Sequence, residues 1–179
     1  KGESQKKRAS QKKSKQELAI LNNKERKELL TKISQQFGVP PHTLANLNPL
    51  LASKRGRIYL STPALGKTNL KELRISSIGL YIATKNKDGT LRLSIEGSQL
   101  IGPHATKNIV ELSSKEWDSW LRGEDIEHKH PPGYVIITHG NDYGGCGKAN
   151  GTLIKNFVPK QRRIHGAPFS SPSTQSPVS

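Results

Sequence analysis

Apolar residues recur along this chain at two spacings, and the change from one to the other divides it. Leu18 and Leu21 open an intermittent stripe that Leu29, Leu30, Ile33 and Phe37 continue at helical spacing. Gly38 followed by Pro40 and Pro41 stops that helix. A further helical turn is predicted over Thr43–Asn48 with Leu44 and Leu47 inward, and Arg57–Leu60 reads as a strand. From Leu73 onward the pattern becomes that of strands. Ile75–Thr84 and Thr90–Ile95 flank a loop ending in Asp88-Gly89, a hairpin signal. In the second of these strands Leu91, Leu93 and Ile95 alternate with Arg92 and Ser94, which puts Arg92 on the face away from the core.

Ile109–Leu112 is a third short strand in this region, and it runs into Ser113-Ser114-Lys115-Glu116, an S-x-x-E capping box. Trp117, Trp120 and Leu121 follow at i, i+3 and i+4, and Gly123 stands where a left-handed C-terminal residue is expected. Sharing a stripe with Leu121, the tryptophans are predicted as core anchors rather than base-stacking platforms. A Pro-Pro-Gly turn precedes Tyr134–Thr138, an apolar run suited to a central strand. A glycine-rich segment, His139–Lys148, and a turn at Gly151 then lead into Leu153–Val158.

The ends differ from this core. Residues 1–15 carry seven basic residues, one acidic residue and nothing apolar larger than alanine, so they are expected to be a disordered basic arm. Such an arm serves either as a nucleic-acid-binding or nuclear-targeting segment or as a flexible linker. The Ser/Pro-rich residues 166–179 are expected to be disordered as well. The resulting division is an arm at 1–15, a small α/β unit at 16–72, a β-rich unit at 73–165 and a tail at 166–179. The fold class is α+β.

Charge narrows the partners. Lys and Arg number 29 against 14 Asp and Glu, a formal charge of +15, so polyanions are favoured through counterion release. No apolar run approaches the roughly 20 residues of a spanning helix, and no apolar segment follows the charged N-terminus, so neither a membrane partner nor a secretory signal is expected. A single cysteine, Cys146, leaves no intrachain disulfide and fits a reducing compartment, cytoplasmic or nuclear and nucleolar. The absence of methionine implies a chain processed or cut from a longer protein.

Gly144, Gly145, Gly147 and Lys148 do not make a phosphate loop, because Asp142 and Ala149 stand where glycine and Ser or Thr are required. The glycines fit a bulge or a close backbone approach instead. His128, His130 and His139 lack carboxylates at metal-ligand spacing, and Cys146 lacks a local base, so no metal, cofactor or catalytic residue is assigned. Basic residues carry more. Lys155, Lys160, Arg162 and Arg163 crowd the end of the last strand, Lys148 precedes them, Lys107 and Asn108 lie before the Ile109 strand, and Arg122 closes the capped helix. Basic side chains with Asn and Gly between them on a β-surface grip phosphates.

The order of KNIVEL, SSKEWDSWLRGEDI, PPGYVIIT and GGCGKANGTL resembles the PUA domain. The preceding LRISSIGLYIATKNKDGTLRLSIEGSQLIGPHA is similar to the junction in two-domain ribosome-biogenesis factors of the nuclear import protein (NIP) family. The resemblance spans roughly 25–165. It implies an N-terminal α/β domain followed by a mixed β pseudo-barrel, with RNA contacts on basic residues of the PUA domain. Lys148, Lys155, Lys160, Arg162 and Arg163 are the local candidates. The expectation that follows is non-catalytic binding of RNA, ribosomal RNA foremost, in ribosome subunit biogenesis, with pre-ribosomal proteins as further partners. PUA domains also occur as appendages of RNA-modifying enzymes, including rRNA cytosine methyltransferases of the NOP/Sun family. The alternative is therefore the RNA-recognition module of an enzyme whose catalytic part lies outside this chain. A third expectation is an adaptor that docks proteins through 16–72.

Overall fold

The computed structural model describes residues 18–61 and 79–166. The predicted arm at 1–15, the tail beyond Gly166, residues 62–72 and the start of the strand predicted at 75 lie outside the described residues.

The described residues form two sheets, and a long two-stranded ribbon of the second contributes to two hydrophobic cores. The first sheet is an antiparallel meander of β1 (Leu18–Ile20), β2 (Leu50–Ser53), β3 (Arg57–Ser61), β4 (Gly79–Lys85) and β5 (Leu91–Leu93), neighbours in that order. It draws strands from both sides of residue 72. Helix α1 (Asn23–Phe37) covers it, with Leu29, Ile33 and Phe37 buried on a single face. The helix starts later than the apolar stripe implied, because Leu18–Ile20 pairs with β2 and Asn22 closes a capping box with Glu25. The turn predicted at Thr43–Asn48 is a shorter 3-10 helix at Pro41–Leu44, and it does bury Leu44 and Leu47.

The second sheet has the order β6 (Ile109–Glu111), β7 (Ile126–His139), β8 (Asp142–Lys155), β6 being parallel to β7 and β7 antiparallel to β8. Helix α3 (Ser114–Arg122) begins at the expected box, Ser113 accepting from the Glu116 amide, and ends at left-handed Gly123. Pro131, Pro132 and Gly133 do not form the predicted turn. They lie within β7, where the register shifts between His130 and Gly133, and a proline without an N–H is tolerated at such a bulge. Gly151 likewise lies within β8, opposite His130.

Alternation along the ribbon explains the near-continuous apolar run at 134–138. Val135 and Ile137 join a core with Val110, Leu112, Trp120, Ile126 and Ile154. Ile136 and Cys146 face the other way, into the core of α1 and the first sheet. Both faces of β7 are thus buried, which requires apolar residues at consecutive positions. Trp120 is fully buried and its Nε1 donates to the Gly144 carbonyl at 2.9 Å, bearing out the core-anchor expectation for that ring, whereas Trp117 is only partly buried against the same core. The glycine cluster serves this ring: a Cβ on Gly144 would lie 2.9 Å from Trp120 Nε1, and one on Gly147 2.3 Å from Ile154.

Strand β2 went unpredicted, and so did a short helix. Ser94 ends the strand by capping a short helix, α2 (Ile95–Ile101), so Ile95 belongs to a helix rather than to the predicted strand. Gly97 allows α2 to press against the Ile82 carbonyl.

Candidate nucleic-acid interface

Where the first sheet meets the end of β8 there is a cleft of about 300 Å³. Arg57 of β3, Tyr81 of β4 and Arg92 of β5 form its sheet wall, while Phe157 and Arg162 form the opposite wall and Glu96 of α2 lies at the same opening. The Gly144-Gly145-Cys146 backbone contributes to the lining.

Strand alternation places these groups. Leu91 and Leu93 are buried, so Arg92 between them emerges on the far face, as its spacing predicted. Its Cζ stands 4.5 Å from the Phe157 ring centroid. Arg57 stands 5.8 Å from the Tyr81 ring. Such contacts hold a guanidinium in place while leaving most of its donors unspent. Arg162 Nη1 donates to Glu96 Oε1 at 2.5 Å. Burial by itself would raise the Glu96 carboxyl. Hydrogen bonds from its own backbone and from Arg162, with the guanidinium's charge, outweigh that effect and hold it below its ordinary value.

The far wall is anchored by Asn156. Its Nδ2 donates to the carbonyls of Trp120 at 2.8 Å and Glu124 at 3.0 Å, and its Oδ1 accepts from the Val158 amide at 2.7 Å. Phe157 is therefore flanked by Asn156, tied to α3 through the Trp120 carbonyl, and by Val158, tied to Asn156. Its ring lies 6.1 Å from that of Tyr134, above which Lys148 Nζ sits at 5.5 Å. A ladder of cation, ring, ring and cation thus leads from Lys148 to Arg92.

The residues singled out from sequence fall into distinct settings. Arg162 lies in the cleft and Lys148 on the ladder beside it. Lys155 and Lys160 are exposed, and among the described residues neither is held by an ion pair. Lys107 is exposed at the C-terminal end of α1, where its amide and that of Thr106 reach the Phe37 carbonyl. Asn108 donates to the Gln36 carbonyl at 2.6 Å from a left-handed backbone, φ 53°. Arg122 is held by Glu124 at 3.1 Å and Asp118 at 2.9 Å, and these bonds raise its pKa. Arg163 Nε donates to the Val158 carbonyl at 3.1 Å and packs on Gly123.

Arg57, Tyr81, Arg92 and Phe157 were not singled out from sequence. The chain has only 5% aromatic residues, so a Tyr or Phe that falls outside the buried stripe next to basic residues was the available signal. Cys146 is buried, and burial pushes its thiol up to about 12, in keeping with a small core residue.

Residues 107–164 match the family profile described as Methyltransferase RsmF PUA domain. Over 141 residues the chain is 31% identical to ribosomal RNA small subunit methyltransferase F of Aeromonas salmonicida (strain A449), covering 77% of this chain and 28% of that protein. The protein of the same name from Vibrio cholerae serotype O1 (strain M66-2) is 33% identical over 94 residues, covering 51% of this chain and 20% of that one. The one from Salmonella paratyphi B (strain ATCC BAA-1250 / SPB7) is 28% identical over 113 residues, at 62% and 23% coverage. The chain spans between 20% and 28% of the length of these curated relatives. The PUA-type resemblance is supported, and the relatives matched are methyltransferases rather than two-domain assembly factors.

Proposed function

We propose that this chain is the RNA-recognition part of a longer ribosomal RNA methyltransferase, and that it holds RNA across the arginine-lined cleft and the ladder beside it. The second sheet with α3 would be the PUA pseudo-barrel. Catalysis would reside outside these residues. The observation that carries the reading is the cleft itself: three arginines and two aromatic rings, drawn from segments far apart in sequence, meet at a segment that matches a methyltransferase PUA profile. Guanidinium groups bind phosphate through paired donors, and rings stack on unpaired bases. Lys148, Lys155, Lys160 and Lys107 would extend the positive surface, adding affinity without sequence information.

The named relatives come from bacteria, whose ribosomes lie in the cytoplasm, so a cytoplasmic rather than nucleolar workplace is proposed. A freestanding assembly factor, with pre-ribosomal proteins as partners, would use the same RNA surface. It would differ in having no methyltransferase sequence upstream in the gene. Filter binding of small-subunit rRNA fragments over a range of salt tests the proposal. Affinity should fall steeply with salt and collapse when Arg57, Arg92 and Arg162 are together replaced by alanine. Binding that ignores both changes would refute it.

A further inference from the structure

The cleft holds one feature that attraction to phosphate does not account for. Among three arginines stands a carboxylate, Glu96, about a quarter exposed and held by Arg162 through a single guanidinium nitrogen. A carboxylate repels phosphate. It accepts hydrogen bonds and donates none, so it faces ligand groups rich in donors. Beside it Arg162 keeps further N–H groups, so the two side chains together offer acceptors and donors side by side.

Size and shape restrict what enters. A volume of about 300 Å³ is at the lower end of small-ligand sites, which run roughly 300–1,000 Å³. A double helix is excluded, whereas one splayed nucleotide fits. Arg92 over Phe157 and the Tyr81 ring supply flat faces of the kind on which unpaired bases stack. Arg57, on the sheet wall, is placed for the backbone phosphate.

Among the four RNA bases only guanine carries two adjacent donors on its Watson–Crick edge, N1–H and the N2 amino group, with an acceptor, O6, next to them. We propose that the cleft takes one unpaired guanosine of the bound RNA, its base stacked against Arg92 and the flanking rings, its N1 and N2 donors read by Glu96 and its O6 by Arg162. This rests on the RNA-binding reading above and specifies the ligand of the same site.

Fluorescence anisotropy with labelled uridine decamers carrying one central guanosine or one central adenosine tests it, alongside a blunt RNA duplex and a structured small-subunit rRNA fragment. The guanosine strand should bind roughly tenfold more tightly than the adenosine strand, the worth of one paired base contact. Glu96→Gln, which turns one acceptor into a donor, should abolish that preference. Arg92→Lys, which keeps the charge but loses the plane, should weaken both strands. Guanosine monophosphate should displace the decamer more effectively than adenosine monophosphate from the unsubstituted chain, a result that needs no variant to fold. Equal affinities for the two strands, a preference that survives Glu96→Gln, or equally tight binding of duplex would overturn the inference. If the rRNA fragment binds with steep salt dependence and no guanosine preference, only this inference fails. If no RNA binds, the proposed function fails with it.

Discussion

Replacing Asn156 by alanine tests how the far wall of the cleft is held. The side chain is 8% exposed and makes three hydrogen bonds, two donated and one accepted. After truncation the Trp120 carbonyl still receives the Gly123 amide at 2.9 Å, so it is not orphaned. The Glu124 carbonyl and the Val158 amide lose the bonds Asn156 gave them. At about 1 kcal/mol net for each of the three lost bonds, the total comes to about 3 kcal/mol. For a chain of this size that lowers the melting temperature by about 6–12 °C, measurable by circular dichroism. A drop of less than about 2 °C would refute the reasoning, since it would mean that these groups find water at little cost. RNA affinity measured well below the transition should also fall, because Phe157 and the Val158 carbonyl that holds Arg163 move with Asn156.

Other perturbations separate the roles of individual residues. Arg57→Ala should reduce the slope of log affinity against log salt by about 1, whereas Arg122→Ala should leave the slope unchanged because Glu124 and Asp118 already hold that charge. Gly97→Ala places a Cβ 1.9 Å from the Ile82 carbonyl, so α2 must shift away from β4. The cost is about 3 kcal/mol, read by urea unfolding, and a neutral result would sink that account. Hydrogen bonds from the Ser113 side chain and amide hold the Glu116 carboxyl below its ordinary value of 4.5. A folded pKa below the unfolded one contributes stability that is present above about 4.5 and lost as pH falls through the folded value. Glu116→Gln should therefore flatten the acid limb of the stability profile, and an unchanged limb would show that the capping box is not its source.

Local chemistry was legible in the sequence where one segment decided the outcome. The Ser113 box, the Leu29–Phe37 part of the α1 stripe and the buried Trp120 depend on residues within a turn or two of one another, and each was placed correctly. Failures came where another strand decided. Leu18 shares helical spacing with Leu21, yet pairing with β2 takes it into the sheet. Ile95 continues the alternation of Leu91 and Leu93, yet Ser94, donating to the Tyr81 carbonyl of β4, caps a helix that begins there. Pro131 and Pro132 read as a turn because nothing local reveals that the ribbon accommodates them in a bulge.

The cleft was hidden for the same reason. Arg57, Arg92 and Arg162 are separated by scores of residues, and only the meander and the returning end of β8 bring them together. The charge-rich sequence around Lys160 drew attention to the neighbouring residues, of which Arg162 enters the cleft and Arg163 is taken up by the Val158 carbonyl. Arg92 was correctly turned away from the core, but its partner Phe157 could not be read from spacing.

The sharing of one ribbon by two cores gives the chain a built-in clock. Cys146 is its sole cysteine and sits in the middle of β8, beneath the first sheet. With its thiol buried and raised to about 12, it stays protonated and unreactive while the ribbon is closed. Alkylation can then proceed only from molecules in which β7 and β8 have parted from the first sheet, so the labelling rate of the native protein counts those openings. Val135 and Ile137 lie on the other face of the ribbon, in the second core, so that one sulfur times the opening of the first core alone, without an introduced probe.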